Sequence, residues 1–375
     1  LPWWKTFSTD FAIRRSQYST FGAATTGKAG FRWQPIDDLV LRGTFSQGFR
    51  APNLGELYGL TQFGATLVDP CNAPAASQYT AACAAQGLPS TFQQANSQIT
   101  TFTGGNRNLQ PEKSDNYSLG AVYSPAWADN LSWSSKVDFE VDYFHYKVKK
   151  AIQAPDIQQL LNACYNGTAN GAVCSGFTRG QGGQLNPPTD FLSNLGTITT
   201  NGFDLKANWV GPMWSWGQLN AGLQATHTIG YKAVDTDGNV AQRTVGIEVD
   251  DSAIPKWQSN LQLGWKQGDW SAGWNVRYVS AVREFCGNVA NTAVATGCPQ
   301  VAAGETHTLG STFYNDVQVA WNHSLGIQGL KLSAGVNNLF DKDPPVCVTC
   351  SLNGYDAGTY DLPFRFWYVS ADFRF

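Results

Sequence analysis

The last stretch of the chain, Leu362 to Phe375, reads LPFRFWYVSADFRF and ends on an aromatic side chain. Successive side chains of a β-strand point to opposite faces of a sheet. The apolar face of this stretch carries Trp367, Val369, Ala371, Phe373 and Phe375. The polar face carries Tyr368, Ser370, Asp372 and Arg374. Aromatic residues at both ends are typical of membrane-barrel strands, whose aromatic girdles lie at the two water interfaces. The stretch therefore predicts the terminal strand of a membrane barrel, and the edge strand of a soluble sheet is the alternative.

The composition of the whole chain agrees with a strand-rich membrane protein. Of 375 residues, 14% are charged and 13% are aromatic, and the chain holds 38 Gly but only one Met. Strand and turn formers thus dominate over helix formers. The net charge of -3, without an extended Lys/Arg cluster, argues against nucleic acid as a partner. No apolar run approaches the ~20 residues of a spanning helix, so a membrane location would require a closed barrel.

The alternation of strands and turns continues backwards from the terminal strand to the start of the chain. We expect about twelve strands, at residues 5–18, 22–34, 39–49, 112–123, 131–149, 198–209, 218–229, 257–265, 270–278, 313–321, 330–337 and 362–375. Five long loops are expected at residues 51–110, 150–196, 231–254, 283–310 and 339–361, with a short helix over residues 157–163.

Short turns at one end and long loops at the other are the asymmetry of bacterial outer-membrane barrels. The predicted fold is therefore an all-β, antiparallel transmembrane β-barrel over residues 1–375. Placing Phe375 at the periplasmic rim makes all the long loops extracellular. The chain starts at Leu1 without an initiator Met or a signal peptide, which leads us to expect a processed chain or a fragment.

Eight cysteines test this assignment, because they fall as neighbouring pairs within four of the loops predicted to be extracellular. Oxidation is expected at the cell surface, so we predict local disulfides; the pairs are Cys71 and Cys83, Cys164 and Cys174, Cys286 and Cys298, and Cys347 and Cys350. Eight cysteines allow about 105 connectivities, and the separation of the loops favours the local one. A zinc site and a thioredoxin-like redox pair at Cys347-Val-Thr-Cys350 are the alternatives, but the supporting His residues and βαβ context are lacking.

Three motifs connect the strands to the loops in a fixed order. They are Phe45-Ser-Gln-Gly-Phe-Arg-Ala-Pro-Asn53 followed by Leu57-Tyr58, Gly105-Asn-Arg-Asn-Leu-Gln-Pro-Glu112, and Val336-Asn-Asn-Leu-Phe-Asp341. Together they resemble elements of the TonB-dependent outer-membrane receptor family, and the resemblance covers essentially the whole chain. It implies energy-coupled uptake through a barrel of about 22 strands that holds an N-terminal plug, in the bacterial outer membrane.

The chain departs from the family pattern because it contains no plug, no segment that contacts TonB and only about twelve strands. We therefore expect it to be the C-terminal part of the larger barrel, completed by a second polypeptide or by a further N-terminal part. The expected partners are outer-membrane lipid, the plug with the remaining strands, the TonB complex acting through the plug, and a small-molecule, sugar or peptide substrate. A surface lipoprotein is a further candidate partner.

No catalytic constellation is recognisable, and neither a cofactor nor a metal is expected. The four His residues are scattered, and there is no phosphate loop or nucleophile elbow. Asp235-Thr-Asp-Gly-Asn239, with Glu248, Asp250 and Asp251, resembles a fragment of a calcium loop without its full pattern, and ordinary turn chemistry is the alternative.

Ligand binding is expected where the loops meet the outer rim of the barrel. Alternation places Arg50 on the lumen face, where a contact with the plug is the alternative role. The other candidates lie in or beside the outer loops; they are Asn53, Glu56, Tyr58, Arg107, Tyr165, Arg179, Arg283, Tyr355 and Asp356. The absence of a basic loop cluster argues against a strongly anionic ferric siderophore, and aromatic, amide-rich loops suit sugars or peptides.

Three classes of function are thus open. The first is uptake of a scarce nutrient such as an iron-siderophore, a carbohydrate or a peptide. The second is a receptor-derived barrel that anchors a partner at the outer membrane as a structural or surface-interaction protein. The third, an outer-membrane enzyme, is disfavoured because no set of acid, base and nucleophile is visible.

Overall fold

The computed structural model describes residues 5–19, 21–73, 75, 78–96, 98–129, 131–154, 157–167, 174–234, 244–249, 252–284, 307–322, 329–348, 350, 354–362 and 364–373. Twelve strands form one antiparallel sheet, here called the wall, in which each strand pairs with the next wall strand along the chain. They are β1 (Thr6–Tyr18), β2 (Gly22–Ile36), β3 (Leu39–Arg50), β6 (Glu112–Tyr123), β7 (Lys136–Gln153), β9 (Ser193–Val210), β10 (Gln218–Val234), β13 (Trp257–Gln267), β14 (Trp270–Val279), β17 (Thr312–Asn322), β18 (Leu330–Asn337) and β19 (Phe366–Phe373). The predicted twelve-stranded antiparallel fold is confirmed.

The remaining elements lie in the connections between wall strands. The short strands are β4 (Leu60–Thr66), β5 (Gln98–Gly104), β8 (Thr189–Phe191), β11 (Ile247–Val249), β12 (Ser252–Ala253), β15 (Val282–Glu284) and β16 (Thr308–Leu309). The helices are α1 (Leu54–Tyr58), α2 (Thr80–Ala85) and α3 (Ile157–Tyr165), with 3-10 turns at Ala126–Ala128 and Gln181–Gly183. None of the described helices is long and apolar enough to cross a membrane.

The strand register confirms the two faces that alternation predicts. A row on one face runs from Trp209 through Ala221, Leu263, Trp274, Val317 and Val336 to Trp367. A row on the other runs from Arg42 through Gly120, Asp142, Asp204 and Thr226 to Gln258. The first, apolar face is called outward and the second, polar face inward. Exposed apolar side chains such as Phe11 (77%), Val369 (80%) and Trp367 (68%) all lie on the outward face.

Both ends of the outward face carry aromatic bands. Trp270 and Trp321 stack with ring centroids 5.3 Å apart at one end, and Tyr278 contacts Phe313 at 4.7 Å at the other. Trp270 and Tyr278 are eight residues apart on β14, which is about 27 Å along a strand. Tilted strands with this spacing match the ~25 Å apolar band and flanking girdles of transmembrane barrels.

Two strands start several residues later than expected, each for a local reason. β19 starts at Phe366 and not at Leu362, because Phe364 has a φ of 84° that a strand cannot continue. β7 starts at Lys136 and not at residue 131, because Leu131 and Ser134 close a turn on each other with hydrogen bonds of 2.8 and 3.3 Å. The turn between β1 and β2 is short although it lies at the loop-bearing end, whereas every other connection at that end is long.

The long connections contain more regular structure than the sequence indicated. Segments 51–110 and 154–192 join through a three-stranded sheet in which β5 pairs with β4 and, in parallel, with β8. We call these two segments the first loop unit. A second, four-stranded sheet of β12, β11, β15 and β16 contacts residues 344–348, 350 and 354–361, and these parts form the second loop unit. Among the described residues, β1 and β19 pair on one side only, so the wall is open.

Candidate ligand-entry site

A network of ion pairs crosses the inward face of four wall strands. Nε of Arg42 donates to Oδ1 of Asp142 over 2.9 Å, and Nη2 of Arg42 donates to Oε1 of Glu140 over 2.6 Å. Nζ of Lys206 donates to the same Glu140 oxygen over 3.2 Å. Because Glu140 lies between a guanidinium and an ammonium group, the network holds its charges in fixed positions along the wall.

Gly120 makes this network possible. It lies on β6 directly between Arg42 of β3 and Asp142 of β7. A Cβ atom at this position would be 1.9 Å from Oδ1 of Asp142, which is closer than any real contact. Only glycine therefore lets Arg42 reach across β6 to its acceptor on the second strand along.

A second cluster on the inward face connects the wall to the last loop. Nη1 of Arg277 donates to Oδ1 of Asp361 over 2.8 Å, and Nε of Arg277 donates to Oδ2 of Asp316 over 3.2 Å. The guanidinium lies 5.3 Å from the ring centroid of Tyr314, within the range of a cation–π contact. Asp361 belongs to the second loop unit, so Arg277 fixes that unit to β14 and β17.

The two clusters border one cavity of about 650 Å³ on the inward face. Its volume is within the usual range of ligand pockets. Its cations are Arg42, Lys206 and Arg277, its acids are Glu140, Asp142, Asp204 and Asp361, and its amide side chains are Gln224, Gln258 and Asn260. Phe144 and Tyr146 add a pair of stacked rings with centroids 5.4 Å apart. A polar ligand with a planar or apolar face would find both hydrogen-bonding groups and a stacking surface here.

None of these inward residues was among the candidates chosen from the sequence. The signal was available, since Asp138, Glu140 and Asp142 alternate with apolar residues along β7. Their pairing with Arg42 was not visible, because it joins positions about a hundred residues apart.

The first two motifs meet at the base of the first loop unit. Nη1 of Arg50 donates to Oε1 of Glu56 over 2.8 Å, and Nε of Arg50 donates to Oε2 of Glu112 over 2.5 Å. Asn53 caps α1 reciprocally with Glu56, over 2.8 Å in both directions. Three of the nominated residues thus bind one another, and the sequence analysis missed their partner Glu112.

Two further nominated residues are buried inside the first loop unit. Arg179 donates to both carboxylate oxygens of Asp69 over 2.6 and 2.8 Å, and its side chain is 10% exposed against 1% for Asp69. Burial alone would lower the pKa of Arg179, but the bonds to Asp69 and the neighbouring Tyr165 raise it. Tyr165 is buried in an apolar cluster with Phe92 and Leu161.

The second loop unit contains buried acids. Asp356 is fully buried and accepts from the backbone N–H groups of Ala253, Gly358 and Thr359 at 2.8–3.1 Å. Burial would raise its pKa, but these bonds and those from the Thr359 and Glu248 side chains lower it. Burial near Asp356 and Glu248 raises the pKa of Tyr360. Glu284, whose side chain is fully buried, pairs with His307.

The other nominated residues remain accessible to differing extents. The guanidinium of Arg107 lies 4.8 Å above the ring of Tyr58, and both side chains are exposed. Arg283 is exposed on β15, and Tyr355 is half-buried beside Asp356. The structure therefore divides the ten nominated residues into internal contacts and the accessible set of Tyr58, Arg107, Arg283 and Tyr355.

Three of the predicted disulfides are present, namely Cys71–Cys83, Cys164–Cys174 and Cys347–Cys350. Cys286 and Cys298 lie outside the described residues, as do Asp235-Thr-Asp-Gly-Asn239, Asp250 and Asp251 of the calcium-loop fragment. Within the described part of the chain, one group could hold a metal ion by geometry, Glu248 with Cys347 and Cys350. Its two sulfur atoms are bonded to each other, so they are not thiolate ligands.

Comparisons with known proteins agree with the wall and its loops. A family model described as TonB dependent receptor-like, beta-barrel, matches residues 1–339. No curated protein sequence matches the chain. A solved structure of the ferric enterobactin receptor PfeA from Pseudomonas aeruginosa, a mutant in complex with enterobactin, is similar with a TM-score of 0.60 and 17% identity, over 98% of this chain and 43% of that one.

The siderophore receptor PirA from Acinetobacter baumannii is similar with a TM-score of 0.57 and 16% identity, over 98% of this chain and 44% of that one. The chain therefore spans less than half the length of these structures, and at such identities the likeness concerns the fold. The family match extends over most of the chain and includes the strands that carry the inward clusters. The chain belongs to the TonB-dependent receptor family of outer-membrane barrels, of which it forms a twelve-stranded part.

Proposed function

We propose that this chain is the C-terminal part of an importer that takes up a scarce nutrient across the bacterial outer membrane, powered by the TonB complex acting through a plug. The single observation that carries the proposal is the cavity of about 650 Å³ on the inward face, bordered by wall strands and by the second loop unit. A ligand that enters between the loop units would reach this cavity before it reached the part of the inward face near the short turns. The loop-bearing end is then extracellular.

The chemistry of the cavity favours a ligand with many hydrogen-bonding groups and a flat or apolar face. Three cations and four acids line it, so it has no excess of positive charge with which to attract a strongly anionic ligand. Phe144 and Tyr146 provide a stacking surface, which suits a carbohydrate, an aromatic iron-siderophore or a peptide side chain. Tyr58 with Arg107, and Arg283, are candidate first contacts on the loops.

Uptake by cells that express the complete receptor tests this proposal. We expect accumulation of the ligand to stop when a protonophore collapses the proton gradient, while surface binding persists. Accumulation that continues at the same rate would contradict energy-coupled import. Replacing Tyr146 by Ala should weaken surface binding several-fold, because an aromatic contact contributes about 0.5–1.5 kcal/mol. Leu119→Ala, on the outward face of β6, is the matched control.

A second candidate function is a surface-interaction role, in which the loops hold a partner such as a surface lipoprotein. The first loop unit favours it, because two disulfides and a buried ion pair give that unit a fixed shape of its own. Deleting residues 60–104 separates the two functions. Loss of a co-purifying lipoprotein with unchanged uptake supports the surface role, and loss of uptake alone supports import.

A further inference from the structure

Four lysines share the outward face near the loop-bearing end of the wall, namely Lys113 on β6, Lys147 and Lys149 on β7, and Lys232 on β10. We call them the basic patch. Lys113 lies directly opposite Lys149, and Lys147 lies opposite Asp115. Thr199 of β9 separates Lys147 from Lys232 in the same row. The sequence shows only part of the patch, since Lys147 and Lys149 are two residues apart, and strand pairing brings Lys113 and Lys232 to them.

The described strands of the wall do not neutralise this patch. Asp115 is the acid in these rows, and its Oδ2 accepts from Nζ of Lys149 over 2.7 Å. Among these described strand residues, four lysines against one aspartate give a local charge of +3 in a chain whose formal charge is -3. Like charges directly opposite each other destabilise a sheet. A group that brings negative charge from outside the chain would remove this repulsion.

The position of the patch identifies where that group comes from. One row closer to the middle of the wall, Phe45, Tyr117 and His145 form a stack with centroid distances of 6.2 and 4.7 Å. Aromatic rings on the outward face mark the boundary between hydrocarbon and headgroups. The patch begins the next row, about 7 Å further along the strands. Lysine side chains buried along their stems carry their amines into the headgroup layer.

Apolar residues flank the patch within its own rows. Phe49 lies beside Lys113, and Val234 lies two strands from Lys149, both on the outward face. At the loop-bearing end of the next strands, the outward positions are Trp257, Tyr278 and Phe313, which carry no charge. The basic patch is therefore local, and a ligand that carries both anionic groups and acyl chains would match the patch and its apolar surroundings.

We propose that the basic patch binds the phosphate groups of an anionic, bisphosphorylated glycolipid in the outer leaflet of the outer membrane. Two phosphates could span the Lys113–Lys149 pair and Lys147, while the acyl chains contact Phe45 and Tyr117. The inference rests on the orientation proposed above, with the loop-bearing end outside. It does not depend on which nutrient is transported.

Lipid binding to the complete receptor in detergent micelles tests this proposal, with native mass spectrometry to measure bisphosphorylated lipid A, phosphatidylethanolamine and inorganic phosphate. We expect lipid A to bind preferentially. The triple variant Lys113→Gln, Lys147→Gln and Lys149→Gln should bind it on the order of 100-fold more weakly, since each lysine near an anionic surface contributes about a factor of 5–10. Lys266→Gln, on the inward face at the other end, should bind like the parent receptor.

Asp115→Asn should have the opposite effect and tighten lipid A binding, because it removes the carboxylate that pairs with Lys149. Heat-modifiable migration on gels checks that each variant keeps its folded barrel, and the single Lys113→Gln variant replaces the triple one if that variant unfolds. Equal binding by the lysine variants and the parent would overturn the proposal. Displacement of lipid A by millimolar inorganic phosphate would overturn it too, since the patch would then be a site for soluble anions.

Discussion

The two loop units lie at the same end of the wall but are held together by different interactions. The first has an apolar cluster around Leu161, a buried ion pair between Arg179 and Asp69, and two disulfides. The second has buried carboxylates, of which Asp356 is held by backbone N–H groups, and one disulfide among its described residues. The first unit therefore resembles a small independent fold, whereas the second depends on buried carboxyl groups and on their hydrogen bonds.

The ion pair of the first unit gives the largest expected effect. Replacing Arg179 by Met leaves the carboxylate of Asp69 buried without its cation, which costs about 3–5 kcal/mol. Hydrogen exchange of peptides within residues 78–92 and 157–167 should report the loss of protection. Lys28→Met is the control, because its pair with Asp10 is exposed, with side-chain exposures of 48% and 60%. Its effect should stay below about 1 kcal/mol, and equal effects would show that the buried pair has no special role.

The disulfides of the two loop units close loops of different length, so removing each one should destabilise its unit by a different amount. Cys71 and Cys83 are 12 residues apart, and Cys347 and Cys350 are 3 apart. Chain entropy predicts losses of about 3 kcal/mol for the Cys71→Ser/Cys83→Ser variant and about 1.6 kcal/mol for the Cys347→Ser/Cys350→Ser variant. Limited proteolysis of the loops in increasing urea measures both. A larger loss of stability in the Cys347→Ser/Cys350→Ser variant would mean that the second unit depends on its disulfide more than the length of the closed loop indicates.

The cap of α1 is expected to contribute less than the buried ion pair or the Cys71–Cys83 disulfide. Asn53→Ala removes the side chain that accepts from the N–H of Glu56, at a cost of about 0.5–2 kcal/mol. The change should increase exchange at residues 54–59 without affecting the core of the first unit near Leu161. Asn53→Asp retains the acceptor and should restore protection, so persistent loss in that variant would exclude a capping role.

Acid pH should affect the second unit through Asp356. The pKa of Asp356 in the folded protein is lower than the ordinary value of 3.8. The stabilisation that its carboxylate provides is therefore complete above pH 3.8 and is lost as the pH falls through the folded-state pKa. Exchange at residues 354–361 should therefore accelerate below about pH 4. Asp356→Asn should remove this pH dependence while lowering protection at neutral pH. An unchanged acid response in that variant would assign it to another group.

The wall was predictable from the sequence, because alternation and turn residues are local signals that agree along its whole length. Trp367, Val369, Ala371 and Phe373 lie on the face that alternation assigned to them. The disulfides were predictable for the same reason, since their partners are close in sequence. Local signals could not reveal the pairing of Asp69 with Arg179, which are 110 residues apart, or the parallel pairing of β5 with β8.

The nominated ligand residues came from the motifs and from the outer loops, and the structure places several of them in internal contacts. Arg50 and Asn53 of the first motif bind Glu56, so this motif marks a structural junction. Arg179 and Tyr165, chosen from an outer loop, are buried inside the first loop unit. The cavity depends instead on strand register, which brings Glu140 and Lys206 to Arg42 across the wall. No stretch of sequence contains that information by itself.

The connectivity of the wall also sets an order for its assembly. β13 and β14 are joined by a turn of two residues, Gly268 and Asp269, whereas 61 residues separate β3 from β6. Closing a longer loop costs more chain entropy, so the hairpin of β13 and β14 should form early and the contact between β3 and β6 late. Pairing of β4 with β5 shortens the open part of that long connection. Folding of the first loop unit would therefore speed the pairing of β3 with β6 as the wall inserts into the membrane.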